Sequence, residues 1–192
     1  MKKLLLTLTL FITGVIANQV KAQTSPEFGI RGGINFASFS NSKQEVDSRR
    51  VGLLAGAYAV VPISGTSFSI QPEVLYTQKG AEINDVEIKF SYIEIPVLAR
   101  IDFATERNLT PHLYLGPYAG INVNAEENPP AQGDIPLAEE RANDFVYGLT
   151  VGGGIDMNSI NIGLRYSYGL EEVFKIEGAR NTAISIVAGY QF

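Results

Sequence analysis

His112 is the only histidine of the chain, and there is no cysteine. Chemistry that needs a thiolate, a disulfide or a Cys/His zinc cage is closed to such a sequence, and one imidazole leaves little room for zinc or for histidine-based catalysis. His112 follows Pro111 at the start of an alternating stretch, where it reads as structural or interfacial rather than as a general base. The acid pairs Glu126-Glu127, Glu139-Glu140 and Glu171-Glu172 fall in segments that read as loops. Neighbouring side chains on extended backbone point to opposite sides, so none of these pairs is a ready acid–base dyad. Gly152-Gly153-Gly154 has no phosphate-loop lysine and no helical pattern after it, so it does not read as a phosphate cradle. The residue types give no catalytic set, no metal ligands and no cofactor site, and the chain reads as a non-enzyme.

Two other groups of residues carry charge. Arg31, Glu73, Glu94, Arg100, Asp156 and Arg165 each lie on the polar side of an alternating stretch. If those sides face one enclosed space, three bases can meet three acids, and desolvated charges need such partners. The set reads as an ion-pair ladder that fills an interior; the alternative is a proton or ion path. The second group is the segment 124–144. It holds Glu126, Glu127, Asp134, Glu139, Glu140 and Asp144 against Arg141, a balance of −5, with Pro129, Pro130 and Pro136 as stiffeners. It reads as a solvated acidic loop; the alternative is divalent-cation binding through carboxylate oxygens, bridging lipopolysaccharide phosphates.

The elements that must position these residues are strands. Period-2 alternation appears over 28–36, 51–61, 68–76, 89–103, 112–123, 145–155, 160–168 and 183–192. In the seventh of these, Ile160, Ile162, Leu164, Tyr166 and Tyr168 oppose Asn161, Gly163, Arg165 and Ser167. The second is apolar on both sides, so its facing is open. Each stretch is near the 9–11 residues of a tilted membrane strand, and eight is an even number. The connections alternate: those after stretches two, four and six read as short, those after one, three, five and seven as mostly longer. Short turns at one end and long loops at the other are the pattern of an outer-membrane barrel. Pro72, Pro96 and Pro117 lie inside strands, where proline removes a ladder donor, so bulges or interrupted pairing are expected there.

The first residues read as an export signal. Lys2 and Lys3 precede an apolar core over 4–17, and Val20-Lys21-Ala22 presents modest side chains for cleavage. The expected division is a signal peptide over 1–22 and a barrel domain over 23–192. Removing Lys2, Lys3 and Lys21 leaves 12 basic against 20 acidic residues, or −8, which argues against nucleic acid as a partner. No later run reaches the length of a membrane helix, so a membrane-spanning form has to be a closed barrel.

Alternation alone does not say which face looks inward. The polar faces are mostly Gly, Ser, Thr, Asn and Gln, which suit the crowded inside of an eight-stranded barrel better than a water-facing wall. Aromatic residues sit at the apolar strand ends: Phe36, Tyr76, Phe145, Tyr147, Tyr166 and Tyr168 toward one rim, Phe28, Phe68, Phe103, Tyr190 and Phe192 toward the other. Two such belts match two membrane interfaces. The fold class expected is all-β: an eight-stranded antiparallel up-and-down transmembrane barrel with both termini on the periplasmic side.

"QPEVLYTQKGAEI", "FSYIEIPVLARI", "LGPYAGINV", the glycine-rich sixth stretch and the final aromatic resemble the small outer-membrane β-barrel family called porin-family or PorT-like proteins. The likeness spans roughly 26–192. It implies an outer-membrane location, with membrane lipid, lipopolysaccharide and the barrel assembly machinery as partners. Tyr190 and Phe192 look like the C-terminal signal read by that machinery. The family carries no catalytic residues over to this chain. The function expected is structural or loop-mediated binding around a side-chain-filled lumen, with an envelope protein partner left open. The alternatives are a narrow channel for ions or small solutes, an outer-membrane enzyme or a soluble carrier.

Overall fold

In the computed structural model, residues 25–40, 48–83, 86–103, 105, 109–128, 145–172 and 180–192 are described. They form eight strands: β1 (Glu27–Ser40), β2 (Ser48–Pro62), β3 (Phe68–Ile83), β4 (Val86–Asp102), β5 (Thr110–Asn128), β6 (Phe145–Met157), β7 (Ile160–Glu172) and β8 (Arg180–Gln191). Each strand pairs antiparallel with its sequence neighbour, and β1 pairs with β8, so the sheet closes in the order of the chain. Closure explains why the apolar alternation runs to the last residue. The Phe192 N–H donates to the Phe28 carbonyl at 2.9 Å, and an open edge in hydrocarbon would leave such groups without water.

The alternation sorts the wall. Along β7, Asn161, Arg165 and Ser167 are buried while Ile160, Ile162, Leu164 and Tyr166 are exposed. Across the described residues, 17 polar or charged residues are buried against 12 hydrophobic ones, and 32 large hydrophobic side chains are exposed. Water-soluble proteins bury apolar side chains and expose few contiguous apolar patches beyond a few hundred Å². The arrangement here is reversed, as lipid outside and polar contacts inside require. The facing of β2 is settled by register: Leu54 and Tyr58 are buried in the lumen, and Val51 and Leu53 face outward.

The turns at the end bearing both termini follow local chemistry. Gly65, at φ 77°, supplies the left-handed residue of the β2–β3 turn. Asn158, at φ 55°, does so in the two-residue β6–β7 hairpin, a conformation asparagine tolerates.

Three expectations from the sequence are corrected. The strands run 12 to 19 residues, longer than the 9–11 expected. The long loop expected over 77–88 is mostly strand: β3 and β4 stay paired up to Ile83↔Val86. The acid pairs Glu126-Glu127 and Glu171-Glu172 are not in loops either, since β5 reaches Asn128 and places the first pair opposite Lys89 and Ile88, and β7 reaches Glu172. At the far end β5 pairs with β6 only as far as Ile121↔Phe145 and runs on for seven residues, about 24 Å of strand, staying paired with β4 as far as Glu87↔Asn128.

The prolines interrupt pairing without shifting it. β3 and β4 pair at Pro72↔Val97 and next at Leu75↔Glu94, in the same register across the position of Pro96. The register shifts lie elsewhere, between Arg49 and Leu54, Ser91 and Tyr92, and Tyr168 and Glu172. The signal-peptide segment 1–22 and the acidic candidates Asp134, Glu139 and Glu140 lie outside the described residues.

Candidate functional site: the charged lumen

The inward residues of eight strands meet in the lumen, and their charges fall into three clusters. The central one is built on Glu73 of β3. Arg31 Nη1 donates to its Oε1 at 2.8 Å, and Arg165 Nη2 donates to both oxygens at 2.8 and 2.6 Å. Gln71 Nε2 adds a fourth bond at 2.6 Å. Strands β1, β3 and β7 are thereby tied across the barrel. Both guanidinium groups also lie over tyrosine rings, Arg31 at 4.2 Å from the Tyr58 centroid and Arg165 at 5.4 Å from that of Tyr114. Two guanidinium groups and an amide thus compensate the carboxylate, with three bonds on Oε1 and one on Oε2, as the burial of a charge demands.

The second cluster lies toward the termini. Arg100 Nε donates to Asp102 Oδ1 at 2.7 Å, and its Nη2 also meets Asp156. Asn161 Nδ2 donates to Asp156 Oδ1 at 2.5 Å. Arg100 Nη1 donates to Gln71 Oε1 at 3.2 Å, so Gln71 links this cluster to the first. His112 is buried beside Asp156, with Nδ1 3.4 Å from Oδ2.

The third cluster lies toward the far end. Lys79 Nζ meets Glu94 Oε1 at 2.5 Å and stands 4.7 Å from the Tyr118 ring centroid. Around it Asn35 accepts from Ser185 Oγ at 2.5 Å, and Thr150 and Ser167 share a bond of 3.1 Å. Arg31, Lys79, Arg100 and Arg165 face Glu73, Glu94, Asp102 and Asp156 in these clusters. Four positive and four negative charges cancel.

Of the six charged residues expected from the sequence, five meet one another's partners: Arg31 and Arg165 on Glu73, Arg100 on Asp156. Glu94 meets none of the three arginines and pairs with Lys79. Lys79 was hidden from the sequence because its segment reads as a loop. Asp102 was hidden because it ends its strand. The lumen tyrosines Tyr58, Tyr92, Tyr114 and Tyr118 were legible only as residues opposite an apolar face.

Glycines make room for these rings. A Cβ on Gly152 would lie 2.6 Å from the Tyr114 ring, and one on Gly148 would lie 2.6 Å from that of Tyr118. The glycine-rich inward face of β6 is thus the surface against which the β5 tyrosines lie.

The chain matches the family described as outer membrane protein beta-barrel domain over residues 21–175. Among solved structures it is similar to neisserial surface protein A, at 18% identity and a TM-score of 0.55, covering 88% of this chain and 100% of that one. It is also similar to the outer membrane enzyme PagL, at 13% identity and a TM-score of 0.53, covering 86% of this chain and 99% of that one. At such identities the likeness is one of fold. No curated protein sequence matches the chain significantly.

Proposed function

This chain belongs to the outer membrane protein beta-barrel domain family, and from that premise we propose that it serves as a lumen-filled barrel whose work is structural or interactive. The barrel resides in the outer membrane. The observation that carries the proposal is the set of ion-paired clusters across the lumen, whose four positive and four negative charges cancel in sum and in which Arg31, Arg165 and Glu73 join three strands. A solute would have to break buried pairs to pass, each break leaving a charge uncompensated.

The termini face the periplasm in this reading, and the opposite end, where β5 outruns its pairing with β6, faces outward, where it meets lipopolysaccharide or an envelope protein. Residues 1–22 are removed on export, and Tyr190 and Phe192 serve as the assembly signal for the barrel machinery. Catalysis is not assigned: the one histidine lies in the lumen near the termini, away from the outer leaflet. Planar-bilayer recording of the purified barrel tests the proposal. The expected result is a silent membrane, and regular single-channel steps from the unaltered protein would replace this reading with that of a narrow channel.

A further inference from the structure

The geometry points to a pH-driven rearrangement at the lumen mouth near the termini, in which protonation of His112 turns the Asn161 amide and exchanges one set of hydrogen bonds for another. His112 is 2% exposed and carries the only imidazole of the chain. It stands between Asn161 on β7 and Asp156 near the end of β6. Asn161 Nδ2 donates to Asp156 Oδ1 at 2.5 Å, and an ionised carboxylate only accepts, so the amide's orientation is fixed. The same Nδ2 lies 3.4 Å from His112 Nε2. Nε2 is therefore the bare, accepting nitrogen, and the ring proton sits on Nδ1, which faces Asp156 Oδ2 at 3.4 Å.

A second proton does not fit this arrangement. On Nε2 it would point at the Asn161 amide nitrogen, donor against donor. When the amide turns over, its Oδ1 accepts from Nε2 and its bond to Asp156 is given up. Asp156 is compensated in the same step. The contact between Nδ1 and Oδ2 is long for a neutral pair; with the ring charged it becomes a charge-assisted hydrogen bond and shortens. Both arrangements satisfy their members, as a two-state element requires.

The charges around the ring leave room for one more. β4 brings Arg100 and Asp102, and β6 brings Asp156. One base faces two acids, a balance of −1, which a charged His112 brings to zero. On β7 the residue at the ring is the neutral Asn161, and on β5 Tyr114 stacks on it with centroids 5.9 Å apart. Tyr58 of β2 is buried in the lumen. The cluster of Arg31, Arg165 and Glu73 lies one link further in, beyond Gln71 of β3.

Histidine is the one side chain whose ordinary titration falls between about pH 5 and 8, and a single histidine gives a single assignable ring. The test is nitrogen NMR of the isotope-labelled full chain, folded in detergent micelles and titrated across that range. At the alkaline end the expected result is a neutral ring protonated on Nδ1; a ring protonated on Nε2 overturns the proposal. Toward the acid end both ring nitrogens become protonated, and the Asn161 side-chain amide resonances shift with the same midpoint. A ring that stays neutral throughout, or one that charges while Asn161 stays in place, also overturns it. In His112→Gln the Asn161 shift should be lost. A shift that persists in that folded variant assigns the movement to Asp102 and Asp156 and overturns the role of His112. The titration of the unaltered protein decides by itself if the variant does not fold.

Discussion

The two faces of the same strands obey different rules. On β7 the outward side presents Ile160, Ile162, Leu164 and Tyr166, each half exposed, and any apolar side chain of similar bulk serves there because lipid is a non-specific solvent. On the inward side Arg165 has one acceptable neighbourhood, the two oxygens of Glu73 and the face of Tyr114. The difference teaches that the lumen holds the specific information of this fold and the wall holds its solvation. Inner substitutions should act through what they leave unpaired, outer ones through polarity and depth.

The largest effect expected is from Glu73→Ala. It leaves Arg31 and Arg165 buried without their shared carboxylate, and loss of one partner from such a set destabilises by about 3–5 kcal/mol. Urea unfolding of the barrel in lipid vesicles measures it. A loss near that of an ordinary surface change would mean that water reaches the pair and that the two faces differ less than drawn here.

On the outer face, Leu164→Arg should destabilise by about 2–4 kcal/mol if Leu164 sits near the bilayer midplane, while Leu164→Ile in the same assay should change little. Leu164 is 60% exposed, so in water the arginine would be harmless. Equal stability of the two variants would remove lipid from the account of this face.

Next comes Gly152→Ala. Its Cβ would lie 2.5 Å from the Leu164 carbonyl and 2.6 Å from the Tyr114 ring. Overpacking of that kind destabilises by about 1–3 kcal/mol, and pairing it with Tyr114→Ala should return the part due to the ring. Unchanged unfolding of the single variant would show that the ring moves freely.

The smallest effect expected is from Glu27→Gln. Glu27 is exposed at the rim and accepts a bond from Gln191, so its loss should stay within about 0.5 kcal/mol in the same unfolding assay. A larger loss would extend the lumen's rule to the rim.

Much of this was legible in the sequence for one reason. A strand turns alternate residues to opposite faces, so Ile184, Ile186 and Tyr190 declare a wall without reference to any other strand. The same logic placed Arg31, Glu73, Arg100 and Arg165 on inward faces. It failed where alternation is weak, as in β2, and where strand passes for loop, as at Lys79 and Glu126. The short connections after the second and sixth stretches were likewise local matters, and the structure completes the latter with two residues after β6.

The sequence by itself determined that this chain makes eight alternating strands with one greasy and one polar side, because side-chain direction is a property of each strand's own backbone. Only the tertiary structure decided which polar residue meets which. Glu73 lies 42 positions from Arg31 and 92 from Arg165, and they meet because the register of every intervening pair adds up around the closed sheet. A shift of one residue at any seam would turn a whole strand's charges toward lipid, so pairing across the lumen belongs to the closed barrel as a whole and to no segment of it.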